Sequence, residues 1–511
     1  MAGTMSSARV EDLPTRHTPR RTLGVAVRPW VPLLGVLVLA AVTGVLTGQL
    51  APLGPVSTLG ALVVMATGAG LGLVGGRVVG AVWVVVPLLV VHVAAIEIAR
   101  SDVLLPTVHD VRLDSTWGVL ALVLGRGMHA LLLVLPMLLG ALVGSRLTRR
   151  RVATRGTVLV GALTLALAVV VALPASTPPV RDADGEVVPG SVATLDTVAL
   201  GGDPHTVMVR AADPDAPVLL YLSGGPGQSD LALARVLSEP WVDDVVFASF
   251  DQRGNGTSYA ALVPTEEATL DRAVADVIEL TEYLRDRFDE DKVILMGESW
   301  GTILGVLAAQ QRPDLFHAYL GSGQMVDVTE TDRRIYRDLV EYADRTDDQA
   351  VADLTERIGE PPYADLPWAN ADVMLAYEYL YGSYTPSEGY LARGKASGLD
   401  AFGVKGVEYT LVDKVSVLRG LMDTFAVMYP QIQGLDLRQE VPRLEVPVFV
   451  LDGAAELDGR RDLALEWYAA LEAPTKRLVT FQDAAHAVAF EQADAVDRLL
   501  VDEVLPLVGE R

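Results

Sequence analysis

The chain has no cysteine, which excludes disulfides, thiolate metal sites and a cysteine nucleophile together. Its seven histidines include no pair at metal-ligand spacing, and no glycine-rich loop is followed by the Lys-Ser/Thr pair of a phosphate cradle. No metal and no cofactor is therefore expected. Positive charge is also scarce: 41 basic residues stand against 65 acidic ones, for a formal net charge of −24. That balance argues against nucleic acid as a partner.

Apolar sequence is in excess, since half of the residues are hydrophobic, and the excess is confined to the first third. Residues 1–28 are polar, carry Arg9, Arg16, Arg20, Arg21 and Arg28, and read as a cytoplasmic tail. Within residues 29–174, five stretches approach the length needed to cross a bilayer: Trp30 to Leu50, Leu59 to Gly75, Val78 to Ile98, a stretch within Trp117 to Gly144, and Thr157 to Leu173. A cleaved signal peptide also fits a basic start followed by an apolar run, but the later spans argue against it. With five crossings, the tail, a tight turn at Gly75-Gly76-Arg77, and Arg146 with Arg149, Arg150, Arg151 and Arg155 fall on one side. Positive connections stay inside. The expectation is a multi-pass membrane protein with a cytoplasmic amino terminus, the lipid bilayer as partner, and everything after Leu173 outside.

Glu97, Arg126 and His129 interrupt the apolar stretches, and charge within a membrane points to function by default. Here pairing or snorkelling near the outer interface is the preferred reading, with the fourth span proper starting around Gly127. The glycines of Gly68-Ala69-Gly70-Leu71-Gly72 are read as close helix packing.

Residues 175–190 form a proline-, aspartate- and glycine-rich linker, and from there the chain alternates strand and helix. Alternation of this kind predicts a mostly parallel sheet with a site at the strands' carboxyl ends. The run Lys292 to Met296 reads as a buried strand and Ile303 to Ala309 as a helix. Between them stands Gly297-Glu298-Ser299-Trp300-Gly301, a nucleophile elbow that lifts Ser299 above the sheet. A serine needs a base to take its proton. His317 follows the elbow too soon, which leaves His486, in the loop after Arg477 to Thr480. The base needs an orienting carboxylate. After the strand Val446 to Leu451, Asp452 points back into the scaffold, Glu456 is the preferred acid, and Asp458 is its rival. Oxyanion donors are expected from the amide of Trp300 and from Gly224 or Gly225, in the loop Ser223-Gly224-Gly225-Pro226-Gly227 that follows a strand. Asp251-Gln252-Arg253-Gly254 is read as tying loops beside the site.

Together, Ser223 to Gly227, Asp251 to Ser258, Gly297 to Thr302, and the Gly453-to-Glu456 and His486 loops resemble the proline iminopeptidase group of α/β-hydrolases, over roughly residues 190–511. Ser223 stands where that family often has histidine, and Glu456 where it usually has aspartate. The resemblance implies an α/β-hydrolase fold over residues 191–511 with a helical cap at about 328–437, preceded by the all-α membrane region. It also implies a serine aminopeptidase acting on small peptides. In that family, cap carboxylates hold the substrate's amino group; the candidates here are Glu341, Glu378 and Glu408. An esterase or lipase of the same fold acting on esters stays open. So does a transport or sensing protein whose hydrolase-like domain only binds a ligand.

Overall fold

The computed structural model describes residues 30–109, 112–113, 115–148, 154–363, 368–382, 384–399 and 403–509. The expected tail over residues 1–28 and the cluster Arg149, Arg150 and Arg151 lie outside the described residues. The chain opens with α1 (Trp30–Leu50), α2 (Thr58–Val79), α3 (Val85–Ala99), α4 (Thr116–Thr148) and α5 (Thr154–Ala172). Counting the short turn Val82–Val84 before α3, all five are long and apolar enough to cross a membrane. Their apolar residues run all round rather than along one stripe, so Leu46, Val90 and Leu165 are exposed.

Helices α2 and α4 lie against each other in the same direction, and glycine makes that possible. A Cβ at Gly72 would lie 1.9 Å from the Met137 carbonyl oxygen, and one at Gly140 would lie 2.1 Å from that of Ala69. Gly68 meets Leu133 in the same way, so this run serves helix packing as expected. The expected turn at Gly75-Gly76-Arg77 is absent. Helix α2 continues to Val79 and ends at Gly80, whose φ of 69° closes it. Gly76 lacks a side chain because Ala141 of α4 packs there, with its carbonyl oxygen 2.4 Å from where a Cβ would stand. The fourth helix likewise begins at Thr116 rather than near Gly127. Within it Arg126 pairs with Glu97 at 2.8 Å, and Arg100 reaches the same carboxylate at 2.5 Å. These charges answer one another.

Eight strands follow: β1 (Val192–Leu200), β2 (Asp203–Ala211), β3 (Val218–Leu222), β4 (Val246–Phe250), β5 (Val293–Glu298), β6 (Phe316–Ser322), β7 (Val448–Gly453) and β8 (Lys476–Phe481). They form one sheet in the order β1-β2-β4-β3-β5-β6-β7-β8. β2 runs antiparallel to both β1 and β4; every other pairing is parallel. Strands β3, β4, β5 and β7 are buried along their whole length, which is why they read as unbroken apolar runs. Helices α6 (Leu231–Leu237), α7 (Leu270–Phe288) and α8 (Trp300–Gln311) belong to the first half of the sheet. The expected cap lies between β6 and β7 as α9 (Val328–Thr346), α10 (Gln349–Ile358), α11 (Trp368–Ala376), α12 (Glu388–Ser397), α13 (Leu411–Ile432) and α14 (Leu437–Glu440). After β7 come α15 (Asp458–Ala470), α16 (Val488–Glu491) and α17 (Ala493–Leu499). Apolar clusters fill both faces of the sheet.

Connections between the apolar helices touch the sheet domain. Leu53, Leu105 and Val108 pack with Tyr259, Leu262 and Ala268. Asp423 of α13 accepts hydrogen bonds from the Thr107 amide at 2.8 Å, the Thr107 hydroxyl at 2.5 Å and the Tyr259 hydroxyl. Arg419, one turn earlier, donates to the Leu53 carbonyl at 2.5 Å and lies over the Tyr259 ring.

Overpacking the α2–α4 contact should loosen the apolar helices. Gly72→Val is expected to cost about 1–3 kcal/mol, read as a lower melting temperature of the full chain in detergent. Gly70, where a Cβ would meet nothing within 4 Å, should tolerate the same change. Equal melting of the two variants would contradict the packing account.

Candidate active site

Strand β5 ends at Glu298, and the chain turns directly into α8 at Trp300. Ser299 between them has φ 52° and ψ −119°, a conformation that costs a non-glycine residue free energy and persists only when its surroundings hold it. They do so through hydrogen bonds. Its amide donates to the Ser322 carbonyl at 2.9 Å, and its carbonyl accepts from the Thr302 hydroxyl at 2.6 Å. Strand and helix also cross closely here. A Cβ at Gly297 would sit 2.4 Å from the Gly301 carbonyl oxygen, and one at Gly301 would sit 2.2 Å from that of Leu222. Both flanking glycines are therefore required by contact.

Across the cleft, Nδ1 of His486 is hydrogen-bonded to Oε2 of Glu456. Glu456 is held twice more, by the Leu457 amide at 2.8 Å and by Nε of Arg460 at 3.0 Å. Burial alone would raise its carboxyl; Arg460 and then His486 outweigh that and hold it at about 2. An ionised Glu456 accepts, so Nδ1 carries the proton and Nε2 is left as the free base. Of the rival acids, Asp458 is exposed at the start of α15. Asp452 faces the scaffold, bonded to Arg461 and Thr480. His317 lies on β6, and burial lowers its pKa. Arg460 escaped sequence reasoning, although its position four residues after Glu456 was a readable signal.

Gly224 lies beside the elbow, where its Cβ would be 3.3 Å from that of Ser299, and Gly225 has φ 118°. The Trp300 ring bonds Oε1 of Gln252 at 2.8 Å, and Nε2 of Gln252 bonds the Ser223 carbonyl at 2.9 Å, so the β3 loop is tied to the elbow. Ser223 is buried in that tie. Asp251 accepts from the Thr257 amide and hydroxyl, while Arg253 pairs with Asp276 and Asp203. The charged end of β4 is structural, as its sequence implied.

A cavity of about 480 Å³ opens over the elbow, lined by Gly224, Glu298, Ser299 and His486 and roofed by Tyr390, Leu391 and Arg393 of α12. Leu233, Val236, Leu237, Leu399 and Phe490 make much of its wall apolar. Tyr384, just before α12, bonds the Asp483 carbonyl at 2.8 Å and also the Glu491 carboxylate, joining the cap to the His486 loop. None of the three candidate cap acids lines this cavity. Glu341 is exposed, Glu378 pairs with Arg460 at 2.5 Å, and Glu408 is buried against Arg235 at 2.6 Å.

Residues 217–402 match the family described as the alpha/beta hydrolase fold. A Bacillus subtilis (strain 168) protein named "Probable aminopeptidase YbaC" is 28% identical over 303 residues, spanning 59% of this chain and 93% of that protein. The proline iminopeptidase of Neisseria gonorrhoeae is 32% identical over 105 residues, 20% of this chain and 32% of its own length. Among solved structures, a proline iminopeptidase-related protein from Thermus thermophilus is 18% identical, with a TM-score of 0.41 over 62% of this chain and 98% of that one. The proline iminopeptidase of Mycobacterium smegmatis is 17% identical, with a TM-score of 0.37 over 62% and 99%.

Removing Arg460 should expose how Glu456 is held. Arg460→Gln leaves a buried carboxylate short of its counter-charge, at a cost of about 3–5 kcal/mol near neutral pH. Glu456 is depressed from an ordinary value of 4.5, so its contribution is complete above that pH and disappears as pH falls towards 2. Denaturant unfolding at several pH values should find the variant's deficit largest above pH 4.5 and narrowing below it; a deficit independent of pH would exclude this role.

Proposed function

We propose that this α/β-hydrolase-fold protein is a membrane-anchored serine hydrolase, an aminopeptidase of the proline iminopeptidase type that releases amino-terminal residues from small peptides. The observation that carries the reading is one cavity bounded by a strained Ser299 on one side and the Glu456-bonded His486 on the other. In this mechanism Ser299 Oγ attacks the scissile carbonyl while His486 Nε2 takes its proton. Glu456 holds the imidazole's orientation and stabilises its charged form. Negative charge on the carbonyl oxygen is received by the amides of Trp300 and of Gly224 or Gly225. His486 returns the proton to the departing amine, leaving an acyl-enzyme, which water activated by His486 then hydrolyses.

Likeness to a relative named as an aminopeptidase over 93% of that relative's length supports the substrate class. The apolar cavity wall keeps a second reading in view, a short-chain esterase whose acyl group fills the same space. The five apolar helices supply the anchor. Arg77 and Arg146 lie at the ends of α2 and α4 remote from the loops that touch the sheet domain. The positive-inside tendency then gives a cytoplasmic amino terminus and an external hydrolase domain.

Full-length protein in detergent should cleave aminoacyl anilides, prolyl included, and lose roughly a millionfold in kcat on Ser299→Ala. Glu456→Gln should cost on the order of a thousandfold or more, whereas Asp458→Asn should cost little. Serine-dependent cleavage of esters alone would move the substrate class. Undiminished turnover by the Ser299→Ala protein would end the proposal.

A further inference from the structure

Attack on an amino-terminal residue places a constraint on charge. The α-ammonium nitrogen of such a residue is two covalent bonds from the scissile carbonyl carbon, so its counter-charge must stand next to the nucleophile. The cap acids do not meet this condition, because Glu341 is exposed, and Glu378 and Glu408 are paired with arginines outside the cavity lining. Glu298 does. It precedes Ser299 directly and lines the same cavity. It is 5% exposed, and its Oε2 is buried with no hydrogen-bond partner.

An unpartnered buried carboxylate is costly unless something arrives to satisfy it. Its neighbours make that need greater. Burial, then Asp230 and Glu491, push the Glu298 carboxyl well above its ordinary range. Asp230 is 1% exposed, with one oxygen bonded to Gln228 at 2.8 Å and the other without a partner. Glu491 is already engaged by Tyr384 and by the Ala485 amide. The guanidinium in the cavity wall, that of Arg393, faces Asp494 at 3.8 Å. The cavity therefore presents buried acceptor capacity beside the nucleophile, and a cation placed there supplies the missing hydrogen-bond partner and draws the Glu298 carboxyl back towards its ionised form.

We propose that Glu298, supported by Asp230, is the subsite that receives the substrate's α-ammonium group, making a free amino terminus the feature selected. This rests on the hydrolytic reading of Ser299, and the two are separable by experiment. Binding of alaninamide and of isobutyramide, in which a methyl group replaces the ammonium, is measured by calorimetry on the full-length Ser299→Ala protein in detergent. Alaninamide should bind roughly ten- to hundredfold more tightly. Glu298→Gln in that background should remove the preference, and Asp230→Asn should reduce it. Equal binding of the two amides, no binding of alaninamide, or a preference that survives Glu298→Gln overturns the subsite. Labelling of Ser299 in the wild-type protein by a fluorophosphonate probe tests the hydrolytic reading independently. Labelling without an amine preference leaves a hydrolase lacking this subsite, whereas an amine preference without labelling leaves an amine site whose serine is not activated.

Discussion

Backbone strain at Ser299 is the constraint on which the rest of the molecule converges. A φ of 52° at a residue with a side chain is unfavourable by itself, so every contact around it has to oppose relaxation. Parallel pairing of β5 with β6 positions the Ser322 carbonyl that takes the Ser299 amide. The Thr302 hydroxyl closes on the Ser299 carbonyl and accepts from the Met325 amide. These bonds lie at the carboxyl edge of a sheet whose central strands are wholly buried, where a lost hydrogen bond is expensive. The core thus does more than hold the fold. It fixes one side chain in a direction it would not otherwise adopt.

The opposite wall of the cleft is held by charge. Glu456 is buried, which opposes ionisation, yet Arg460 and His486 keep it ionised. Arg460 in turn reaches Glu378, just after α11 of the cap. One arginine therefore joins the acid beside the imidazole to the segment that roofs the cavity. A second link, from Tyr384 to Glu491 and the Asp483 carbonyl, joins the same segment to the loop carrying His486. The cap is therefore tied at two places to the residues around His486.

Local patterns were legible and long-range pairing was not. Trp30 to Leu50 reads as one helix because its length and composition suffice, and α1 has those limits. The elbow reads from five residues because strand, turn and helix are each encoded locally. Glu456 could be preferred over Asp458 from its loop position, and the structure brings it to His486. Gly75-Gly76-Arg77 misled because glycine marks both turns and tight helix contacts, and only the partner helix decides between them. The cap acids could not be ranked from the sequence for a related reason. Glu378 and Glu408 are committed to Arg460 and Arg235, which lie 82 and 173 residues away in the chain, and no spacing rule reaches that far. Glu298 was in plain view inside the motif, but only the cavity and its missing partner distinguish it from a buried linker residue.

Helix α13 explains why the apolar helices and the sheet domain have to be considered as one body. On one side Asp423 and Arg419, both nearly inaccessible, bond Thr107, Tyr259 and the Leu53 carbonyl. On the other side the backbone of Gly420 packs on Gly227, where a Cβ would come within 2.4 Å of the Gly420 carbonyl oxygen, and Thr424 bonds the Gly254 carbonyl at 2.6 Å. Gly227 ends the loop that contains Gly224 and Gly225. A single helix thus touches the connections between the membrane-length helices with one face and the glycine loop beside Ser299 with the other. Without the first contact, Asp423 and Arg419 would lose partners and meet water, and α13 would lose part of what sets its position. The glycine loop packs against that helix at backbone distance, where small shifts are not absorbed by side chains. Its geometry therefore depends on residues more than a hundred positions earlier in the chain, in the loops that join the apolar helices.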